Sequence, residues 1–211
     1  VVTVTVTIPV PNQGSRFLLI HANAQNSFYE SEQDNNVVVV PVNITLPPPG
    51  DLTVSNIERR MENGEWRTAN DTITSGVNTT VRWSVKNIGN NTISGSRLSS
   101  LVYLSRDNIF SSNDKLLSTV NSGSITLAPG DSLVQQATIS ISGEGEGNRY
   151  FIVKTDVRNA FYEDDENNNT VAATAPTFVK LPVLPFNTPV TVTLRMAQAL
   201  NYKLDVDTNI N

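Results

Sequence analysis

Short runs of alternating apolar and polar residues recur along the chain. Residues 81–85 alternate strictly and place Trp83 on the apolar side, and residues 137–141 repeat the alternation. A period of two is typical of a strand with one buried face. Residues 150–153 form a continuous apolar run, which is typical of a central strand. Because no segment shows the period of an amphipathic helix, the pattern predicts an all-β fold with Trp83 in its core.

Turn residues separate these predicted strands. Asn87–Asn90 follows the strand that contains Trp83, and Ala128–Asp131 has proline and glycine at its two central positions, as a tight turn requires. Short strands separated by such turns are typical of a β-sandwich. We expect the last strand of this sandwich at Thr170–Val179.

Two parts of the chain repeat each other. The Phe-Tyr-Glu motif at 28–30 and the Asn-Asn pair at 35–36 recur 133 residues later, at 161–163 and 168–169. Self-similarity at one fixed offset indicates a repeated module. Further identities in the same register are Ile8 with Ile141, Gly14 with Gly147, Arg16 with Arg149 and Asn26 with Asn159.

The repeat predicts three segments. Residues 1–46 correspond to the C-terminal part of one β-sandwich, and residues 51–181 form a complete copy. The proline-rich stretch Leu46–Gly50 predicts a stiff, polyproline-like joint between them. Residues 183–211 do not repeat the start of the module, so we expect them to form the first strands of a different β module. Its predicted strands are 190–194 and 202–206.

Charge and composition exclude several classes of function. The net charge is −5 and the sequence pI is about 4.9, whereas binding to nucleic acid requires clustered Lys and Arg, so we expect no nucleic-acid partner. No apolar run approaches the roughly 20 residues of a membrane helix, so we expect no membrane-spanning segment. The absence of cysteine excludes disulfides and thiolate chemistry.

An ordered set of motifs in this chain resembles CARDB, the cell-adhesion-related domain found in bacteria. The motifs are Asp51-Leu52-Thr53-Val54, Trp83-x-Val85-x-Asn87-x-Gly89, Val102-Tyr103-Leu104-Ser105-x-Asp107, Leu127-Ala128-Pro129-Gly130-x-Ser132, Tyr150 with Asp156, and Glu163-x-x-Glu166-x-Asn168-Asn169. The resemblance covers residues 51–181 fully and 1–46 partially. The chain departs from the family at Leu98 and Ser100, where tryptophan and aspartate are frequent, and at residues 58–72, which look like an insertion.

The resemblance implies tandem immunoglobulin-like β-sandwich modules without catalytic activity of their own. It also implies an extracellular or cell-surface location, because such repeats occur on surface proteins or beside secreted enzymes. The last segment, residues 184–211, resembles the opening of the pre-peptidase C-terminal domain of secreted bacterial proteins.

Two predicted loops carry acidic residues of the kind that binds calcium. Calcium binds six to eight oxygen ligands at flexible distances, and acidic loops supply them. The alternative is a turn in which Asp and Asn side chains bind nearby backbone groups. In the first copy Gln33 stands at the position of Glu166, so that copy lacks one carboxylate. The predicted calcium ligands are Asp107, Asp114, Glu163, Asp165 and Glu166.

The sequence shows no catalytic constellation. Its one histidine, His21, matches Lys154 in the repeat register, at a position predicted to face solvent. Neither a nucleophile elbow nor a His-Glu-x-x-His spacing occurs. Carboxylate pairs suffice for a glycosidase, but only 7% of residues are aromatic and no aromatic-rich cleft is evident. We expect no catalytic residues and no cofactor other than calcium.

Three functions remain open from the sequence. The first is a spacer or adhesion segment of a large surface or secreted protein, with neighbouring modules and other surface proteins as partners. The second is an accessory domain of a secreted hydrolase or protease. The third is a filament subunit, because incomplete modules leave sheet edges that pair with other chains.

Overall fold

The computed structural model describes residues 3–6, 13–46, 48–68, 71–194 and 198–204. These residues form sixteen strands and no helix, and hence no helix that is able to cross a membrane. In chain order the strands are β1 (Gly14–His21), β2 (Val37–Ile44), β3 (Leu52–Arg60), β4 (Trp66–Arg67), β5 (Thr72–Thr74), β6 (Asn78–Asn87), β7 (Ile93–Ser96), β8 (Ser99–Ser105), β9 (Lys115–Asn121), β10 (Ser124–Leu127), β11 (Ser132–Ser140), β12 (Gly147–Lys154), β13 (Thr170–Ala172), β14 (Thr177–Lys180), β15 (Val183–Leu184) and β16 (Lys203–Leu204).

The chain consists of two compact units, residues 1–48 and 49–211. In the larger unit, a four-stranded sheet has the order β11-β6-β3-β4, and a six-stranded sheet has the order β5-β14-β12-β8-β9, with β13 also paired to β12. The pairs β7–β10 and β15–β16 complete it. The predicted all-β fold is confirmed, with two large sheets around one core as in a β-sandwich, whereas the predicted segment boundaries at 46, 51, 181 and 183 stay predictions.

The two units contain the same strand pairing. In the smaller unit, β1 and β2 form an antiparallel ribbon in which His21 lies opposite Val37. In the larger unit, Lys154 of β12 lies opposite Thr170 of β13. Each residue of the second pair follows its counterpart by 133 positions. Over the three residue pairs that join β12 to β13, the repeat found in the sequence is therefore also a repeat of backbone register.

One hydrophobic core lies between the two large sheets. Val81, Trp83 and Val85 of β6 are completely buried, and so is Val153 of β12. Polar residues occupy the alternate positions of β6, as the sequence pattern predicts. The indole Nε1 of Trp83 donates a hydrogen bond to Oε1 of Gln135 at 2.9 Å. This bond satisfies the one polar atom of a ring that fills the centre of the core.

The turn after β6 packs against the residues that precede β3. Asn87 is completely buried, and its Oδ1 accepts the backbone N–H groups of Asp51 and Gly89 at 3.2 and 3.1 Å. Its Nδ2 donates to the carbonyl groups of Leu127 and Asn91 at 2.9 and 2.8 Å. A Cβ atom at Gly89 would lie 2.5 Å from the backbone nitrogen of Asp51. The Asn-x-Gly motif is therefore required for the close approach of two backbone segments.

Two strand predictions differ from the structure. Residues 190–194 form no strand, and their apolar side chains are exposed without a partner strand in the described part of the chain. The strand predicted at Thr170–Val179 is divided into β13 and β14 because Pro176 has no N–H group for the ladder. Of the predicted strand 202–206, residues 203–204 form β16, and residues 205–206 lie outside the described residues.

We expect Gly89→Ala to destabilise the larger unit by about 2–3 kcal/mol, because the added methyl group forces two backbones apart. Gly123→Ala is the matched control, since a Cβ atom there meets nothing within 4 Å, and its effect is expected to stay within about 0.5 kcal/mol. Urea unfolding of both variants measures the difference. Equal losses in the two variants would contradict the packing argument.

Candidate metal centre

The loop between β12 and β13 is organised around Asp156. This residue has a positive φ of 39° and is buried. Its Oδ1 accepts the backbone N–H of Ala160 at 3.0 Å, and its Oδ2 accepts that of Phe161 at 3.1 Å. Phe161 is buried in the core and contacts Gly95, where a Cβ atom would lie 2.9 Å from the ring. The carboxylate and the ring together determine the path of the loop.

The second half of this loop is bound to the start of the module. Oε2 of Glu163 accepts the backbone N–H of Leu52 at 2.9 Å. Nδ2 of Asn168 donates to Oδ1 of Asp51 at 2.8 Å, and the carbonyl of Asn168 accepts a bond from the Thr53 hydroxyl at 3.2 Å. Glu163 therefore binds a backbone group that lies 111 residues earlier in the sequence.

Three carboxylates meet in this loop. Asp156, Glu163 and Glu166 each offer an oxygen atom, and these atoms lie within 4.8 Å of one another. Asp156 is 1% exposed and Glu163 is 5% exposed, whereas Glu166 lies at the surface. Oε1 of Glu163 is buried without a hydrogen-bond partner, and so is Oδ1 of the neighbouring Asn169. We name Asp156, Glu163 and Glu166 the acidic cluster.

Burial and mutual repulsion disfavour negative charge in the acidic cluster. The pKa of Glu163 is raised to about 8, mainly by loss of solvent and also by the negative charge of Asp156, while the hydrogen bond from the N–H of Leu52 opposes the increase. The pKa of Glu166 is also raised, first by loss of solvent and then by the charge of Asp156. The cluster therefore favours a bound positive charge, whether a proton or a cation.

The structure brings two of the predicted calcium ligands together, Glu163 and Glu166. Asp165 is exposed, and its Oδ1 accepts the backbone N–H of Asn167 at 2.9 Å. Asp156 was missed because it lies on the far side of a loop from the acidic stretch. The sequence indicated Asp156 only as a member of the ordered motifs, after Tyr150. Its spacing from the acidic stretch does not match that of a known metal-binding loop.

Asp107 and Asp114 lie apart from the acidic cluster, beside a cavity of about 400 Å³. Oδ1 of Asp107 accepts the backbone N–H of Ile109 at 2.9 Å, and Oδ2 of Asp114 accepts that of Ser111 at 2.7 Å. Arg106, Lys115 and Arg149 line the same cavity. In the structure these two aspartates thus form turns, beside a cavity where Glu144 pairs with Lys115 and Arg149, and a calcium role for them stays a prediction.

The stability of the metal-free protein is expected to fall as pH rises from about 5 to about 8. In this window the unfolded chain has released the Glu163 proton, near its ordinary pKa of 4.5, while the folded protein retains it up to a pKa of about 8. The folded state then binds more protons, so increasing pH favours unfolding. The negative charges of Asp156 and Glu166, which face Glu163, are among the causes of its raised pKa.

We expect Glu163→Gln to remove most of this decrease, which is on the order of 3 kcal/mol. Thermal melting in EDTA across this pH range measures the loss of stability in the wild-type protein and in the variant, and the difference between the two losses is the contribution of Glu163. A decrease of the same size in Glu163→Gln would contradict the assignment.

Comparison with known proteins identifies a family for this sequence. The sequence model of the CARDB family matches residues 50–173. The crystal structure of a CARDB domain from Pyrococcus furiosus in complex with di-metal ions is 20% identical to this chain, and the alignment covers 65% of this chain and 98% of that domain with a TM-score of 0.43. The structure of β-glucosidase 3B from Thermotoga neapolitana in complex with α-D-glucose is 16% identical, over 50% of this chain and 14% of that enzyme, with a TM-score of 0.33. No curated protein matches the sequence.

The family match covers more than half of the chain. It includes the first strand of the larger unit, the buried Trp83, the Asn87-x-Gly89 motif and the whole loop that carries the acidic cluster. The chain belongs to the CARDB family of adhesion-related, non-catalytic β-sandwich domains.

Proposed function

We propose that this chain is a spacer and interaction segment of a bacterial surface or secreted protein, positioned outside the cytoplasm. The repeated strand pairing carries the proposal, because His21 with Val37 and Lys154 with Thr170 repeat one module pattern along a single chain. Modules repeated in series extend a chain and present similar surfaces at regular intervals. Membership in an adhesion-related family supports this use.

The arrangement of the carboxylates supports a non-catalytic role. Glycosidases place two carboxylates on either side of an open substrate cleft. Here Asp156 and Glu163 are buried and already accept backbone N–H groups, so neither faces a substrate. His21 is exposed at the end of β1 and lies outside the larger unit.

We expect antibodies against the purified chain to label intact cells that produce the protein. Protease added outside the cells should remove the label while a cytoplasmic marker protein stays intact. The measurement is flow cytometry before and after protease treatment. Label that appears only after the cells are permeabilised would contradict a location outside the cytoplasm.

A filament assembled by strand pairing is the second candidate, and the ribbon of the smaller unit favours it. Among the described residues, β1 and β2 pair only with each other, so each leaves a free edge. Leu19 and Val39 lie opposite each other and are 64% and 54% exposed. Free edges beside exposed apolar side chains are templates for pairing with another chain.

If this candidate is right, the mass measured by light scattering should rise with concentration. The double variant Leu19→Lys with Val39→Lys should then remain monomeric, because charges on an edge strand oppose pairing. The exposed pair Val134→Lys with Leu116→Lys in the larger unit provides the matched control, and it should assemble like the wild-type chain. A wild-type chain that stays monomeric at high concentration would exclude the filament.

A further inference from the structure

We infer that the loop between β12 and β13 binds one calcium ion through the carboxylates of Asp156, Glu163 and Glu166. Their oxygen atoms lie within 4.8 Å of one another. Calcium binds oxygen ligands at about 2.3–2.6 Å, so two ligands of one ion lie at most about 5 Å apart. The acidic cluster therefore has the dimensions of a single cation site before any ion is added.

Unpaired buried acceptors provide a second and independent indication of a ligand. Glu163 is 5% exposed, and its Oε1 accepts no hydrogen bond. Asn169 is 3% exposed, and its Oδ1 also accepts none, while its side chain interacts with the Glu163 carboxyl group. A buried acceptor without a partner destabilises the folded state, because it has lost its hydrogen bonds to water without a replacement. A cation can take the place of the missing hydrogen-bond donor, because it binds the lone pairs of acceptor oxygen atoms directly.

The first copy of the module shows that the loop folds without this concentration of charge. Asn23 takes the place of Asp156 and has a similar positive φ, 46° against 39°. Its Oδ1 accepts the backbone N–H groups of Ser27 and Phe28 at 2.8 and 3.2 Å, at the positions that correspond to Ala160 and Phe161. An amide thus forms the same turn, so the carboxylate of Asp156 is not needed for the path of the backbone.

The remaining positions of the first copy also carry less charge. Glu30 corresponds to Glu163, and Gln33 corresponds to Glu166. Nδ2 of Asn36 donates to Oε2 of Glu30 at 2.6 Å, so this single carboxylate is satisfied by an amide. The second copy has carboxylates, Asp156 and Glu166, at the two positions where the first copy folds with amide side chains. Their mutual repulsion is explained if a cation binds there, and we expect one site for each chain.

The chemistry of the ligands selects calcium among common cations. The acidic cluster contains only carboxylates, without histidine or cysteine, which excludes a typical zinc or copper site. Glu166 lies at the surface, so water completes the coordination on that side. An irregular loop with ligands of different burial suits the flexible geometry of calcium better than the rigid octahedron of magnesium.

A bound calcium ion would strengthen the attachment of the loop to the start of the module. Glu163 uses its other oxygen to bind the N–H of Leu52, and the N–H of Asp164 binds the carbonyl of Gly50 at 2.9 Å. An ion that keeps Glu163 ionised strengthens the first of these bonds, because hydrogen bonds to a charged acceptor are stronger. The module then resists separation of β3 from the loop.

Calcium chloride titrated into the EDTA-treated chain tests the site. Isothermal titration calorimetry is expected to show one ion per chain. The melting temperature is expected to rise by roughly 5–10 °C at a calcium concentration of about 100 times the Kd. The double variant Asp156→Asn with Glu166→Gln carries the residues of the first copy and should abolish both the binding heat and the shift in melting temperature. In EDTA, this variant should melt at or above the wild-type temperature.

Asp165→Asn is the matched control, because Asp165 neighbours Glu166 and lies outside the acidic cluster. This variant should keep the full calcium response, and Glu166→Gln alone, a surface change, should weaken binding. The inference is overturned if the wild-type chain shows neither heat nor shift at about 10 mM calcium, above the range of extracellular modules. It is also overturned if magnesium chloride gives the same shift, or if Asp165→Asn loses the response.

Discussion

Two hydrogen bonds to the backbone of Asp51 and Leu52 hold the start of β3, and the bond to Leu52 also joins the two sheets of the larger unit. Asn87, at the end of β6 in the four-stranded sheet, binds the N–H of Asp51. Glu163, in the loop after β12 of the six-stranded sheet, binds the N–H of Leu52. Because β3 lies between β6 and β4, the position of its first residues determines the register of that sheet. A slip of one residue would turn the core side chains of β3 to the solvent.

This attachment places a carboxylate where negative charge is disfavoured. Glu163 needs an acceptor oxygen for Leu52, yet burial and the neighbouring Asp156 raise its pKa to about 8. A proton relieves the repulsion but leaves a weaker acceptor, whereas a cation relieves it and keeps the acceptor charged. The proposed calcium site therefore follows from the same contact that orders the sandwich.

A comparison of the two copies shows which side chains the fold requires to accept hydrogen bonds and which of them also add negative charge. Both copies keep the strand pairing and the left-handed residue that begins the loop. They differ in the number of carboxylates, since Asn23 and Gln33 replace Asp156 and Glu166. Shape is preserved because amide and carboxylate oxygens accept the same backbone hydrogen bonds. A protein built from such copies is able to vary cation binding from module to module without a change of fold.

The sequence by itself determined the all-β class, the burial of Trp83, the turn at Ala128–Asp131 and the repeat offset. These features depend on neighbours close in the chain, and a period of two or a Pro-Gly pair records them directly. The prediction of a strand at 190–194 was wrong, because alternation shows which faces a strand would have but does not supply a partner strand.

Only the tertiary structure decided which acidic residues meet. Glu163, Asp165 and Glu166 are close in sequence, yet Asp165 faces solvent and Asp156 joins the other two from across the loop. Gly89 and Asn87 were visible as a motif, but their contact with Asp51 was not. Such contacts arise when packing of the sheets closes long loops, and the distances that result are absent from any local pattern.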